Sequence, residues 1–379
     1  MESAWYNRYL ESHAESILKK GKVFVLYGPR RVGKTELIKK MISGFSGKTF
    51  TGTGDNQEVR ELLSAQKLSQ LQSAFGSYQL IFIDEAQRIP EVGFALKLLI
   101  DHFPEMIILV TGSSAFDLSG KIGEPLTGRN TLRNLFPISV LELNEQYGGM
   151  YVLQKLEDLL IYGAYPEVLK ASSADDKKEY LISIRDSYLL KDILELESIK
   201  NPSKLSDLLK LLAFQIGQEV SLNELGNSLG IARQSVERYL DLLEKTFIIK
   251  KVGGFSRNLR KEVVKTARYF FWDNGIRNAI INNFNLPVQR NDLDMLWENF
   301  LFMERLKTKS YKRIFSNDYF WRTYDRQEID LVEDRDGKLY AYEFKWKLRK
   351  VKAPKAWTDA YPDSEFQVIS KENFLEFLI

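Results

Sequence analysis

The chain has 379 residues, 44% hydrophobic and 28% charged, with a formal charge of +3, no cysteine and two histidines, His13 and His102. That length allows two or three domains with separate cores, and the absence of cysteine excludes disulfides and thiolate zinc sites. No apolar run approaches a membrane span and the start, Met1-Glu2-Ser3-Ala4-Trp5-Tyr6, lacks the layout of a signal peptide, so a cytoplasmic location without a membrane partner is expected, with chemistry resting on carboxylates, lysines, hydroxyls and Mg2+-type ions.

The first predicted strand, Val23-Phe24-Val25-Leu26, runs into Gly28-Pro29-Arg30-Arg31-Val32-Gly33-Lys34-Thr35. Glycines at both ends of a G-x-x-x-x-G-K-T loop let successive backbone N–H groups turn inward on an anion. Lys34 would then reach the β- and γ-phosphates, and Thr35 would offer its hydroxyl to Mg2+. A helix from Glu36 supplies the N-terminus that receives the phosphates.

The next strand, Tyr78 to Ile83, ends in Asp84-Glu85. A continuous apolar run of this kind belongs to a parallel strand buried on both faces, whose carboxyl end opens on the ligand crevice. Asp84 is expected to hold the Mg2+ shell and Glu85 to orient and deprotonate the attacking water. A third strand, Met106 to Val110, ends in Thr111-Gly112-Ser113-Ser114. Thr111 or Ser113 would hydrogen-bond the γ-phosphate or the water, with plain turn chemistry as the alternative. Arg129, after Glu124-Pro125-Leu126-Thr127-Gly128, is a candidate for stabilising transition-state charge, in its own or a neighbouring subunit, or else a structural arginine.

Helical spacing follows over Tyr151 to Tyr162 and Lys177 to Glu197, expected as a lid and connector. Residues 221–252 read as a helix, a turn at Gly230, a second helix from about Ala232 and a strand. Val236, Leu240 and Leu243 would face inward, leaving Arg233, Gln234, Glu237 and Arg238 outward. Two basic stretches lie nearby in sequence: 250–268 holds seven Lys or Arg against Glu262 alone, and 345–355 holds six with no acid. Arg233 and Gln234, near the start of the second helix, are therefore candidates for base edges, Arg238 for a nucleic-acid contact on the same face, and Arg257, Arg260, Lys261 and Lys265 for phosphates. The alternatives are a partner-packing face and a solvated surface.

The last ninety residues predict a helix around 296–301, then strands over 319–324, 328–333 and 339–346 with a turn at Asp336-Gly337. Alternation places Glu343 and Lys345 on one face with Asp330 on the adjacent strand. These residues, with Glu298 on the preceding helix, can gather around a divalent ion, Lys345 polarising water; the alternative is a cross-strand salt bridge.

The blocks "GPRRVGKTELI", "LIFIDEAQ", "VTGSSAF" and "PLTGRN" resemble the AAA-type P-loop ATPases of prokaryotes that carry a C-terminal domain of unknown function (DUF4143-like). "YGAYPEV", "RYFFWDNGIRNA" and "YEFKW" resemble later blocks of that group, with Ala164 departing from its usual glycine. The constellation Asp330, Glu343-x-Lys345 and Glu298 resembles the PD-(D/E)xK nuclease fold.

The expected fold is α/β: a P-loop NTPase parallel sheet with helices on both faces, followed by a winged helix-turn-helix and a small α/β nuclease-like domain. Its expected segments are 1–144 (ATPase), 145–204 (connector), 205–284 (winged helix) and 285–379 (nuclease-like). Function is expected to be Mg2+-dependent ATP binding and hydrolysis on or at nucleic acid, duplex DNA favoured, with C-terminal cleavage and self-association left open. The alternative is a nucleotide-gated switch whose winged-helix and catalytically inactive nuclease-like domains only bind a protein or nucleic-acid partner.

Overall fold

The computed structural model describes residues 5–113, 126–189, 201–256, 267–347 and 351–379. Packing divides them into two units, one formed by residues 7–136 with 245–247, the other by residues 5 and 6, 137–244 and 248–379.

The first unit is built on five parallel strands: β1 (Val23–Tyr27), β2 (Thr49–Thr53), β3 (Leu80–Asp84), β4 (Ile107–Gly112) and β5 (Asn130–Asn134), in the order β2-β3-β4-β1-β5. Side chains of both parities in β1, β3 and β4 are buried, among them Val25 and Ile83 on one face and Leu26 and Phe82 on the other. These strands therefore carry unbroken apolar runs, whereas the edge strands β2 and β5 are partly exposed and polar. Parallel pairing needs crossovers, here the helices Lys34–Ile42, Gln57–Ser64, Leu68–Phe75 and Val92–His102. The chain leaves β1 toward one edge and later returns past it to β5. The carboxyl end of β1 is thus the reversal point where such sheets bind ligands.

In the second unit, β6 (Glu219–Val220), β7 (Ile249–Gly254), β8 (Ala267–Phe271), β9 (Asn317–Arg322), β10 (Glu328–Arg335), β11 (Lys338–Phe344) and β12 (Glu365–Ile369) form one mixed sheet, ordered β12-β11-β10-β9-β7-β8-β6. The predicted hairpin is present with shifted ends, turning at Asp336 and Gly337, both at positive φ. The long helix Leu293–Lys312 covers the sheet, with Trp297 and Leu301 in the same core as Tyr342 and Phe344, and Phe302 stacked on Phe270 at 4.3 Å.

Three sequence expectations change here. Residues 145–244 and 248–379, read as a connector and two domains, pack within one unit, and the two domains share one sheet because β7 pairs in parallel with β9, Gly253 opposite Tyr319 and Gly254 opposite Phe320. The break between units falls at 136/137, ahead of the expected 144/145. The helix expected over 177–197 instead runs Ala174–Ile184 and passes into a wider π turn at Arg185–Leu189, beyond which residues 190–200 lie outside the described residues.

Candidate functional site

The loop after β1 is shaped by two glycines. Gly28 sits at φ +152°, and a Cβ there would fall 1.9 Å from the Leu135 carbonyl oxygen, so only glycine lets β1 pass this close to the segment after β5. Gly33, at φ +90°, takes the left-handed turn into the helix that starts at Lys34. Between them Pro29 and Val32 are buried, Arg30 is half-buried and Arg31 is exposed in a left-handed conformation. The buried Lys34 ammonium donates to the carbonyl oxygens of Gly28 at 2.9 Å and Pro29 at 2.7 Å, which folds it back on its own loop. From the N-terminal segment, buried Arg8 donates to the carbonyl oxygens of Val32 at 2.7 Å and Phe136 at 2.6 Å. Nothing in its local spacing marks Arg8 as a brace of this loop, and only the tertiary structure reveals it.

Behind the loop, the end of β3 assembles the polar chemistry. The Thr35 hydroxyl donates to Asp84 Oδ2 at 2.8 Å, and the fully buried Thr111 hydroxyl donates to the other Asp84 oxygen. Glu85 adopts a left-handed conformation at φ 50°, its backbone N–H donating to Thr111 Oγ1 at 3.2 Å. The Gln87 amide donates to Glu85 Oε2 and, at 3.0 Å, to Ser113 Oγ, while Arg30 reaches Ser113 at 3.5 Å. Gln87 Oε1 is buried without a hydrogen-bond partner. The side chains expected from the sequence at this sheet edge are thus brought together, with Thr111 and Ser113 both engaged. Gln87, which links Glu85 to Ser113, was not anticipated.

This donor set fits a nucleotide with its ion. Thr35 and Asp84 place a hydroxyl and a carboxylate in contact, the hard oxygen pair that Mg2+ takes, and the loop offers a lysine and the N-terminus of a helix. Arg129 belongs elsewhere. Its carbonyl accepts from the Val23 N–H at the amino end of β1 and its guanidinium pairs with Asp101. The loop lies at the other end of that five-residue strand, roughly 15 Å away at about 3.3 Å per residue. A catalytic role for Arg129 at the phosphates of its own chain is therefore corrected, because parallel register with β5 carries it to the opposite edge of the sheet.

On the second sheet, Glu298, Asp330, Glu343 and Lys345 do converge, joined by Glu328 and by a residue of β8, Arg268. The Arg268 guanidinium lies 3.1 Å from Glu298, 3.1 Å from Glu328 and 3.8 Å from Asp330, over the Phe320 ring at 4.6 Å. Lys345 pairs with Glu343 Oε1 at 2.5 Å, Asp330 Oδ2 accepts the Phe344 N–H at 2.7 Å, and Glu343 Oε2 is buried without a partner. Burial, with the neighbouring Asp330 charge, pushes the Glu343 carboxyl up to about 7. Glu298 is raised for the same two reasons, and Asp330 chiefly by burial. Burial works to lower the Lys345 ammonium, but the charges of Asp330 and Glu343 outweigh it and leave it raised.

These residues do not fit the divalent ion expected from the sequence. Among the described residues no group of three or more carboxylates or imidazoles has an arrangement that could hold a metal ion, and the arginine stands among the converging carboxylates. The positions read from the sequence as metal ligands are thus engaged by cationic side chains, Glu343 by Lys345, and Glu298 and Asp330 by Arg268. Arg268 had been counted with the basic stretch at 250–268; its signal was a lone charge in the apolar run Tyr269-Phe270-Phe271.

Residues 20–144 match the AAA domain family, residues 153–286 a domain of unknown function (DUF8612), and residues 293–374 a domain of unknown function (DUF4143). The N-terminal part is an AAA-type P-loop domain and the C-terminal part a DUF4143 region. The AAA domain implies nucleotide binding. An uncharacterized protein of Mycobacterium tuberculosis is 28% identical over 86% of this chain and 71% of its own length. One from Methanocaldococcus jannaschii is 23% identical over 96% and 84%. Among solved structures, the Thermotoga maritima RuvB Holliday junction branch migration motor is similar over 64% of this chain and 86% of that one, at 20% identity and a TM-score of 0.30.

The blocks "YGAY" and "WDNG", both within residues 153–286, interlock. Gly163 of "YGAY", at φ +70°, lies where a Cβ would fall 2.0 Å from the Asp273 carboxylate of "WDNG", and a Cβ on Gly275 would fall 2.0 Å from the Tyr162 carbonyl oxygen. Asp273 accepts from the Ala164 N–H at 2.8 Å and caps the helix Asn274–Ile280 through Ile276 at 3.1 Å. Asn278 donates to the Leu160 and Ile161 carbonyls. Asn299 of the long helix clamps Phe271 of β8, accepting its N–H at 2.7 Å and donating to its carbonyl at 2.9 Å.

The two helices Leu222–Leu229 and Arg233–Lys245 meet at Gly230, which takes the left-handed cap. Val236, Leu240 and Leu243 are buried and Arg233, Gln234, Glu237 and Arg238 exposed, as their spacing implied. Arg233 pairs with Glu237 at 3.1 Å. Arg257, Arg260, Lys261 and Lys265 lie outside the described residues. Among the described residues no helix is long and apolar enough to cross a membrane.

Proposed function

We propose that this chain binds ATP with Mg2+ at the loop Gly28–Thr35 and hydrolyses it, and that it acts at nucleic acid through the helices 222–245. The observation that carries the first part is the contact between Thr35 and Asp84, 2.8 Å apart at the reversal point of the sheet. When bound, Mg2+ would neutralise phosphate charge between these two groups. The chain's own residues do the rest. Lys34 swings from the Gly28 and Pro29 carbonyls to the phosphates, the loop N–H groups hold the anion, and Glu85, oriented by Gln87, receives the proton of the attacking water. Gln87 and Ser113 stand beside it as the groups that would read a terminal phosphate.

Lys34→Ala is expected to lose nucleotide affinity, since it deletes the ammonium. Glu85→Gln is expected to keep affinity and lose turnover by 100-fold or so, on the order of a missing general base. Nucleotide binding by fluorescence and phosphate release, measured side by side, separate these outcomes. Equal turnover in wild type and Glu85→Gln would remove Glu85 from the reaction.

The nucleic-acid part is supported by the exposed Arg233, Gln234 and Arg238 on the second helix, read as the recognition helix of a winged helix. The reading as a nucleotide-gated switch that binds a protein partner is favoured by Glu237, which neutralises Arg233 on that same face. Salt distinguishes them: the affinity for duplex DNA should fall steeply and log-linearly with salt through counterion release, and Arg238→Glu should weaken binding to all sequences. A salt-independent complex, unaltered by Arg238→Glu, would favour the switch.

A further inference from the structure

An acidic cluster in a fold of this kind raises the question of which cation it was built for. Four carboxylates converge on one side of the second sheet: Glu298 from the long helix, Glu328 and Asp330 two residues apart on β10, and Glu343 on β11. Asp330 and Glu343 are more than nine-tenths buried. Burying this much like charge is tolerable only if carboxyls take up protons or a cation comes with it.

Arg268 supplies one. It stands on β8, a strand with no exposed residue, and its side chain is 5% exposed. Its two terminal nitrogens are divided between the helix and β10, at 3.1 Å from Glu298 and 3.1 Å from Glu328, and the first also lies 3.8 Å from Asp330. The guanidinium carbon lies over the Phe320 ring, 4.6 Å from its centre, a cation–π contact that also fixes the side chain from its apolar side. Lys345 is committed in the same way to Glu343 at 2.5 Å. A divalent ion placed between Asp330 and Glu343 would face a guanidinium already paired with the neighbouring carboxylates, and like charge in a buried site is weakly screened.

We propose that Arg268 is the resident cation of this cluster, standing where a nuclease-type site would take a divalent ion, so that the DUF4143 region holds its carboxylates together without metal and does not cleave phosphodiesters. The cluster then joins three elements, β8, β10 and the long helix, through one side chain. Its carboxylates become competent for metal only when that side chain is removed.

The experiment uses the full chain without nucleotide and Mn2+ as the probe, with bound ion counted by the loss of the free-ion electron paramagnetic resonance signal. Only binding that Glu343→Gln removes is assigned to this cluster; binding that survives that substitution belongs to Thr35 and Asp84. Wild type is expected to show no Glu343-dependent Mn2+. Arg268→Gln, which keeps a planar amide and deletes the charge, is expected to gain about one Mn2+ per chain, lost again when Asp330→Asn is added. In parallel, wild type is expected to leave plasmid DNA and structured RNA intact in Mn2+. A Glu343-dependent ion in wild type, or cleavage that Glu343→Gln abolishes, overturns the proposal. A folded Arg268→Gln protein that gains no ion overturns it as well. Should Arg268→Gln fail to fold, the wild-type measurements decide by themselves.

Discussion

At Glu343 one oxygen meets Lys345 at 2.5 Å and the other is buried with no partner. Burial and the Asp330 charge push its carboxyl up to about 7, above an ordinary glutamate near 4.3. Between those two values the folded chain binds more protons than the unfolded chain. Stability contributed here is therefore present at low pH and falls as pH rises toward 7, by up to about 3 kcal/mol. Glu343→Gln deletes that dependence, so its melting temperature relative to wild type should rise from pH 5 to pH 8. A difference that stays constant across that range would mean that Glu343 does not titrate in this window. Single residues differed in how far the sequence disclosed them. Lys34, Thr35, Asp84 and Glu85 sit in local patterns whose spacing is itself the mechanism. Arg8 and Arg268 act through partners 24 to 128 and 30 to 62 residues away in the chain, and Gln87 joins its near neighbour Glu85 to Ser113, 26 residues away; no local window contains the distant partners. For Arg129 a loop position was legible, but not that it would lie at the amino end of its sheet, away from the phosphate loop of its own chain.

At the scale of elements, hydrophobic period carried most of the information. Unbroken apolar runs placed β1, β3 and β4, and inward spacing placed the helices of the pair at Gly230. What period could not supply was the reason for polar and glycine residues within apolar blocks. Gly163 has φ +70° and ψ −159°, a region essentially reserved for glycine, and the Asp273 carboxylate fills the space that a side chain would need. Gly163→Ala should therefore destabilise the protein by roughly 3 kcal/mol or more, backbone strain adding to the loss of the Asp273 hydrogen bond to Ala164. Urea unfolding measures this directly, and a change below about 1 kcal/mol would mean that the junction of "YGAY" with "WDNG" relaxes freely. Such a junction reads from sequence as two separate signatures. Only packing reveals that each glycine makes room for the other block.

The second unit is organised by a sheet that no single segment owns. β7 and β8 come from the middle of the chain and β9 to β12 from its end, joined by parallel pairing of β7 with β9 and by the Phe255 N–H donating to the Phe320 carbonyl at 2.6 Å. A fragment of residues 285–379 would keep the β9–β12 ladder, yet it would bare the edge that β7 covers, strip Asn299 of Phe271 and leave Glu298, Glu328 and Asp330 without Arg268. It is expected to lack a cooperative thermal transition by circular dichroism, whereas residues 137–379 are expected to show one. A cooperative melt of the shorter fragment would mean that the last segment folds by itself, as its sequence suggested. The sequence by itself determined the phosphate loop, its acidic strand end, the AAA-type resemblance and the class of each long element, because these rest on spacings within a few residues of one another. Tertiary structure alone decided that Thr35 touches Asp84, that Arg129 lies at the amino end of its sheet, and that the last two segments share one sheet. It also placed an arginine among the carboxylates that had looked like metal ligands. Each of those depends on strand register and order, which are fixed when distant faces are buried together and leave no periodic trace along the chain.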